Sequence, residues 1–229
     1  MNVQLQVLGF ALRAVAEEMG AALIRSAFSA NIKERRDCST AIFDAAGRMV
    51  AQAEHIPVHL GAMPASVAAV IAFDPGPEDV FILNDPYAGG THLPDITLVS
   101  RTVLGFAATR AHHADVGGSV PGSMPAGSRT LAEEGVVIPP TRLDEHTLEE
   151  LVGQMRNPDE RRGDLRAQLA AQRLGARRIA ELCARRGRDE VTAAMEELLA
   201  YSERRVRAGI AALPDGRYEA ADLLETNEG

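Results

Sequence analysis

Histidine is scarce in this chain, six among 229 residues, and three of the six lie between His92 and His113. His92-Leu93-Pro94-Asp95 sets an imidazole and a carboxylate three residues apart, and His112-His113-Ala114-Asp115 repeats the same chemistry further on. Pro94 disfavours a helical conformation at Leu93. The first pair is therefore expected on an extended loop entering a strand, where both side chains can converge on one ion. Two or three imidazoles with one or two carboxylates and open positions suit Zn, Mn or Fe(II). Such an ion polarises a carbonyl as a Lewis acid or acidifies a bound water. The competing reading is a set of solvated or capping side chains in polar loops.

Two further concentrations of ionisable groups stand upstream. In Glu54-His55-Ile56-Pro57-Val58-His59 the imidazoles of His55 and His59 are candidates for acid–base work or for shaping a substrate pocket. The plain alternative is two histidines in a polar loop before a helix. The run Asn31–Asp37 (NIKERRD) could bind an anion or form a solvated face with internal ion pairs. Gly89-Gly90 and Gly117-Gly118 permit close backbone approach to a ligand. Neither fits a P-loop or dinucleotide fingerprint, so no nucleotide site is expected in this chain. Cys38 and Cys183 read as small buried residues, and no neighbouring motif supports Cys38 as a nucleophile.

The elements that must position these groups follow from hydrophobic periodicity. Leu8, Leu12, Val15, Met19 and Leu23 recur at spacings of three and four, which marks a helix over Val3–Phe28. Strands over Thr40–Phe43 and Arg48–Ala51 flank the turn Asp44-Ala45-Ala46-Gly47. A helix follows Pro64 and ends at Asp74-Pro75-Gly76-Pro77. Val80–Leu83 is a short strand, and Ile96–Val103 and Phe106–Ala111 form a hairpin about Leu104-Gly105. Antiparallel pairing brings the end of the second strand beside the start of the first, so Asp95 and the His112–His113 pair become neighbours. Alternation along a strand then allows only one of those two histidines as a direct ligand, with the other behind it or on the substrate. Asp115 shares a face with His113 and is a candidate to orient it. The Gly/Pro/Ser-rich segment Gly117–Ser128 is long for a plain connector and is a candidate functional loop.

From about Thr147 the pattern turns helical. Asn157-Pro158-Asp159-Glu160 carries a capping Asn, an N1 Pro and a Glu at the third helical position, opening a helix that runs to Gly187. Another runs from Asp189 to Leu213, and a strand is expected from Arg217. The expected fold class is α+β: residues 1–143 as a mixed strand and helix region with antiparallel hairpins around a loop-built site, residues 144–216 as a long helical hairpin, and residues 217–229 as the start of a further β element. The chain therefore reads as part of a longer protein.

Composition narrows the function classes. With 46% hydrophobic residues the chain can bury a core, and a net charge of −8 argues against broad nucleic-acid binding. No apolar run approaches the ~20 residues of a membrane helix. The N-terminal segment, broken by Arg13, Glu17, Glu18 and Arg25, does not read as a signal peptide. A soluble, cytoplasmic protein with reduced thiols is the simplest expectation. The Arg-rich helix from Pro158 reads as a solvated face with local acid partners or as a subunit interface.

Five stretches together resemble the hydantoinase B/oxoprolinase family: Arg25–Ser39 (RSAFSANIKERRDCS), Ala51–Met63 (AQAEHIPVHLGAM), Asn84–Ile96 (NDPYAGGTHLPDI), Arg110–Met124 (RAHHADVGGSVPGSM) and Glu160–Gln168 (ERRGDLRAQ). The family includes the B subunit of N-methylhydantoinase and part of 5-oxoprolinase, and the larger subunits of acetone and acetophenone carboxylases look similar. The resemblance implies an ATP-dependent system. A partner A-type subunit with an actin-like fold uses ATP and Mg to phosphorylate an amide or enol oxygen, and the B-type subunit holds the activated carbonyl compound. By motif, His92, Asp95 and one of His112 and His113 match the metal positions of the carboxylases, and Asp115 belongs to the same motif. Family members are about twice as long as this chain, and the connections at 73–79, 102–105 and 143–147 are short. The first expectation is a heteromeric hydrolase of hydantoins or 5-oxoproline. An ATP-dependent ketone carboxylase subunit and a non-catalytic interaction subunit are the alternatives.

Overall fold

A computed structural model describes residues 3–59 and 61–223. Helix α1 (Val3–Ser26) buries Leu5, Leu8, Leu12, Val15, Met19 and Leu23, the stripe set by its three- and four-residue spacing. A single turn, α2 (Ala30–Lys33), leads to the hairpin of β1 (Cys38–Asp44) and β2 (Met49–Glu54). Asp44 makes that turn: its Oδ1 accepts from the amides of Ala46 at 3.0 Å and Arg48 at 2.8 Å, and Gly47 takes a φ of 77°. Helix α3 (Met63–Ile71) and β3 (Val80–Leu83) follow. The expected second hairpin is present as β4 (Asp95–Arg101) and β5 (Gly105–His112). A short helical turn α4 (Leu131–Glu134), the two-residue strand β6 (Thr141–Arg142) and α5 (Glu145–Gly153) lead into α6 (Pro158–Arg186) and α7 (Arg188–Ala211).

The strands form one antiparallel sheet in the order β2-β1-β5-β4-β3-β6. The hairpin pairs are local, whereas β1 against β5 joins distant segments, with Cys38 opposite Ala111. Helix α3 covers one face, packing Met63, Val67 and Val70 on Ala41, Phe43, Val99 and Ala108. Helices α1 and α6 cover the other, over Cys38, Ile42, Ala107 and Ala111. Leu148 of α5 and Leu165 of α6 pack on Ile82, Ile96 and Leu98 of the sheet. The long helices thus complete the core of the sheet. Each of these large aliphatic side chains contributes about 1.5–3 kcal/mol by its burial. Gly175 lets α6 approach α1, because a Cβ there would collide with the Met19 side chain.

Two expectations fail locally. Asn157 precedes α6 but makes no side-chain capping bond; its backbone is left-handed, with φ 54° and ψ 60°. In that conformation its carbonyl, not its amide, serves the helix, accepting from the amides of Glu160 and Arg161. The strand expected from Arg217 is absent over 217–223, and its remainder lies outside the described residues. Among the described residues no helix is long and apolar enough to cross a membrane.

Candidate metal centre

The register of the β4–β5 hairpin sets Asp95 directly opposite His112. Both side chains project toward the face covered by α3, and strand alternation puts Thr97 and Arg110 on the same face. Asp95 lies at the bottom, with its side chain 1% exposed, while His92 and His112 lead outward at 39% and 21%. The centre is therefore buried on one side and open on the other.

Asp95 organises the histidines. Its Oδ1 lies 3.0 Å from His112 Nδ1. Its Oδ2 lies 3.0 Å from His92 Nδ1 and 3.4 Å from His59 Nε2, and accepts from Thr91 Oγ1 at 2.8 Å. The His92 and His112 rings meet edge to face at 5.0 Å. One ligand atom from each of His92, Asp95 and His112 falls within 4.8 Å of the others, a set that could hold a metal ion. Their chemistry, two imidazoles and a carboxylate with room for further ligands, fits Zn, Mn or Fe(II).

Asp37 adds a second carboxylate, which the sequence argument assigned only to a charged run. It stands just before β1, and the β1–β5 pairing carries it to His112, whose amide donates to the Asp37 carbonyl at 2.9 Å. Its Oδ1 lies 3.8 Å from His59 Nε2. Asp37 Oδ1 is a buried atom without a hydrogen-bond partner among the described residues, and His59 Nε2 and His92 Nδ1 both crowd onto the single oxygen Asp95 Oδ2. Buried polar atoms are ordinarily satisfied, so an open carboxylate oxygen beside imidazoles that share one acceptor suits an added cation. The only advance signal for Asp37 was its place ahead of a strand; the partner strand could not be read locally.

Electrostatics agree with the geometry. Burial opposes ionisation of Asp95, but hydrogen bonding to His112, His59 and His92 outweighs it and holds the carboxyl far below its usual range. Hydrogen bonding to Asp95 raises His92 despite its partial burial.

The loop bearing His92 is pinned at three points. Asn84 donates to the carbonyls of Leu93 at 2.8 Å and Val136 at 2.9 Å. Ser66 of α3 donates to the Gly89 carbonyl at 2.5 Å. Arg110, fully buried, donates from Nη2 to Ser66 Oγ and from Nε to Thr97 Oγ1, both at 2.8 Å. Gly89 is required there: its φ is 94°, and a Cβ would lie 2.6 Å from the Ala65 carbonyl oxygen.

The structure brings His59, His92, Asp95 and His112 together and leaves the other candidates elsewhere. His113 points to the opposite face, its Nε2 2.9 Å from Gln168 Oε1 of α6. Asp115 accepts from the amides of Gly117 at 2.9 Å and Gly122 at 2.7 Å and from Arg156 Nη1 at 3.1 Å, which folds the Gly-rich segment rather than orienting His113. His55 packs against Gly20 of α1, and burial, with Arg36 nearby, lowers its pKa. Cys38 is buried, which pushes its thiol up to about 12 and suits packing rather than nucleophilic attack.

Known proteins resemble this chain in sequence and in fold. The family model of Hydantoinase B/oxoprolinase matches residues 1–229. The chain is 39% identical, over 98% of its length, to an uncharacterized protein of Methanocaldococcus jannaschii, of which it covers 43%. It is 37% identical over 90% of its length to the 5-oxoprolinase of Dictyostelium discoideum, of which it covers 17%. Its fold superposes on the ATP-dependent caprolactamase of Pseudomonas jessenii with a TM-score of 0.89 and 32% identity, covering 97% of this chain and 41% of that one. The chain thus spans less than half the length of these relatives. With matches along its whole length and one fold beneath them, the chain belongs to the hydantoinase B/oxoprolinase family.

Proposed function

We propose that this chain is the metal-bearing, substrate-positioning part of a B-type subunit in a cytoplasmic ATP-dependent hydrolase of cyclic amides such as hydantoins or 5-oxoproline, with ATP and Mg handled by an A-type partner. The observation that carries the reading is the convergence of His92, Asp95 and His112 on one point, within a chain of this family. His92, Asp95 and His112 would hold a divalent ion, with the Asp37 carboxylate adding negative charge nearby. Bound there, the ion would supply Lewis-acid polarisation of an amide carbonyl.

The chain's own residues divide the remaining work. Asp95 orients His92 and His112 through its two oxygens. His59 is buried, with Nδ1 3.1 Å from Ser39 Oγ and Nε2 turned to the two carboxylates, and would serve as the acid–base group of the reaction. Thr91 and Asn84 fix the loop between them. The cyclic-amide reading is favoured over a ketone carboxylase by the caprolactamase, an ATP-dependent lactam-cleaving relative by its name, at 32% identity.

Metal analysis of the purified chain and of His92→Ala and Asp95→Ala tests the centre: stoichiometric metal in wild type and loss in both variants is expected, and unchanged content in both would sink it. Turnover of hydantoins or 5-oxoproline by the complex with an A-type partner and ATP tests the reaction. Bicarbonate-dependent turnover of a ketone would replace the hydrolase reading, and partner binding without turnover or metal would mark a non-catalytic subunit.

A further inference from the structure

Behind the metal centre, on the α6 side of the sheet, lies a second cluster of buried ionisable groups that the proposed reaction does not use. Arg161, Asp164 and Gln168 recur at spacings of three and four on one face of α6, and all three are fully buried. His113 meets this face through Gln168. Asp164 Oδ1 accepts from the amides of Phe28 at 2.7 Å and Ser29 at 3.1 Å, which brings Ser29, at the start of α2, to the same place. Arg161 Nη1 donates at 3.4 Å to the carbonyl of Asp115, two residues beyond His113.

Each of these four side chains has one buried atom without a hydrogen-bond partner among the described residues: Ser29 Oγ, His113 Nδ1, Arg161 Nε and Asp164 Oδ2. The nearest charge to Asp164 Oδ2 is Arg161 Nη2 at 3.5 Å. Buried polar atoms are ordinarily satisfied, and leaving each of these four unmet costs about 1–3 kcal/mol. Their proton inventory is determined. Gln168 Nε2 donates to the Ile96 carbonyl at 3.0 Å, so its Oε1 faces His113 as an acceptor. Neutral, as its full burial favours, His113 carries its proton on Nε2 and presents Nδ1 as an acceptor. Arg161 Nε is a donor, Asp164 Oδ2 an acceptor, and the Ser29 hydroxyl can donate. Two donors and two acceptors match the four valences of one water molecule. A cation does not fit, because Arg161 is already one of the four walls.

We propose that Ser29, His113, Arg161 and Asp164 enclose one permanently bound water, which accepts from Arg161 and Ser29 and donates to Asp164 and His113. The water joins α6 to two segments that bear residues of the metal centre: β5 and its extension, where His113 follows His112, and the stretch from Ser29 to Asp37. His113 and Ser29 are thereby positioning residues for that centre, a consequence that rests on the metal reading above.

Isosteric variants of the full chain separate the two bonds of His113. His113→Asn keeps an acceptor where Nδ1 stands and loses the Gln168 bond; His113→Gln keeps the donor at Nε2 and loses the water. An atomic-resolution crystal structure of the wild type should show a water within hydrogen-bonding distance of all four atoms. A dry site, or a water touching only two of them, overturns the proposal. Zinc affinity, measured by chelator competition, should stay near wild type in His113→Asn and weaken roughly 10-fold in His113→Gln, the scale of lost outer-sphere support. Equal weakening in both variants overturns the positioning role. A wild type that binds no zinc would refute the metal centre alone, and the electron density still decides the water.

Discussion

Replacing Asp95 by Asn keeps the side chain's volume and removes its charge, and the structure specifies the consequence. The carboxylate serves four groups: Thr91 Oγ1, His92 Nδ1 and His59 Nε2 on Oδ2, and His112 Nδ1 on Oδ1. The amide retains one acceptor oxygen. It is best placed at the Oδ2 position, where three groups converge, and the new NH2 then confronts His112. At least one charge-assisted bond is lost, about 1.5–3 kcal/mol, which lowers Tm by roughly 3–12 °C for a domain of this size. On the proposed metal reading the effect on metal is larger, because a neutral amide would replace an anionic ligand. Outer-sphere losses alone weaken affinity 10–100-fold, so a direct ligand is expected to cost about 100-fold or more, equivalent to about 2.7 kcal/mol. Chelator competition with zinc at neutral pH reads the affinity, and differential scanning calorimetry of the metal-free protein reads the stability separately. An Asp95→Asn variant that binds zinc within about threefold of wild type would refute the assignment of Asp95 as the hub of the centre, whatever its Tm.

Other perturbations have equally definite outcomes. Asp115→Asn should destabilise the chain by about 2 kcal/mol at neutral pH through the lost amide and Arg156 contacts. Burial raises the Asp115 pKa, but the amides of Gly122 and Gly117 and the Arg156 guanidinium outweigh it and hold the carboxyl low. A carboxyl depressed on folding stabilises above its unfolded pKa and loses that contribution as pH falls through the folded one. The Tm gap between wild type and variant should therefore narrow from about pH 6 to about pH 3, and a gap constant across that range would contradict the account. Gly89→Ala should cost about 1–3 kcal/mol from its positive φ and the clash with Ala65, and should weaken zinc binding by moving the His92 loop; a variant with unchanged Tm and affinity would contradict the close approach. Leu12→Ala, in the core beneath α1, should cost about 2–5 kcal/mol in chemical denaturation while leaving the zinc affinity of folded protein intact.

Much of this architecture was legible because it is local. The stripe on α1, the Asp44–Gly47 turn and the β4–β5 hairpin each depend on residues within a few positions of one another. The hairpin was sufficient to place Asp95 beside His112, and alternation along a strand put His112 and His113 on opposite faces. What stayed hidden depends on distant pairing. Asp37 joins the centre because β1 pairs with β5, and His59 because the turn after β2 returns over Asp95. Asp115 looked like a partner for His113, yet backbone amides of the following loop take both its oxygens. Asn157 had the composition of a helix cap, but its left-handed backbone prevents the side chain from reaching the helix amides.

By itself the sequence determined the longer helices, the two hairpins, the family and the ligand types available to the candidate centre, since side-chain periodicity and ligand type are properties of short segments. Only the tertiary structure decided which ionisable groups share a site. A second carboxylate reached the histidines through non-local strand pairing, and the same sheet turned His113 away toward α6, where burial lowers its pKa to about 4. Neighbours in the chain thus acquired opposite environments because a strand presents successive residues to opposite faces, and what covers each face is settled by the whole fold.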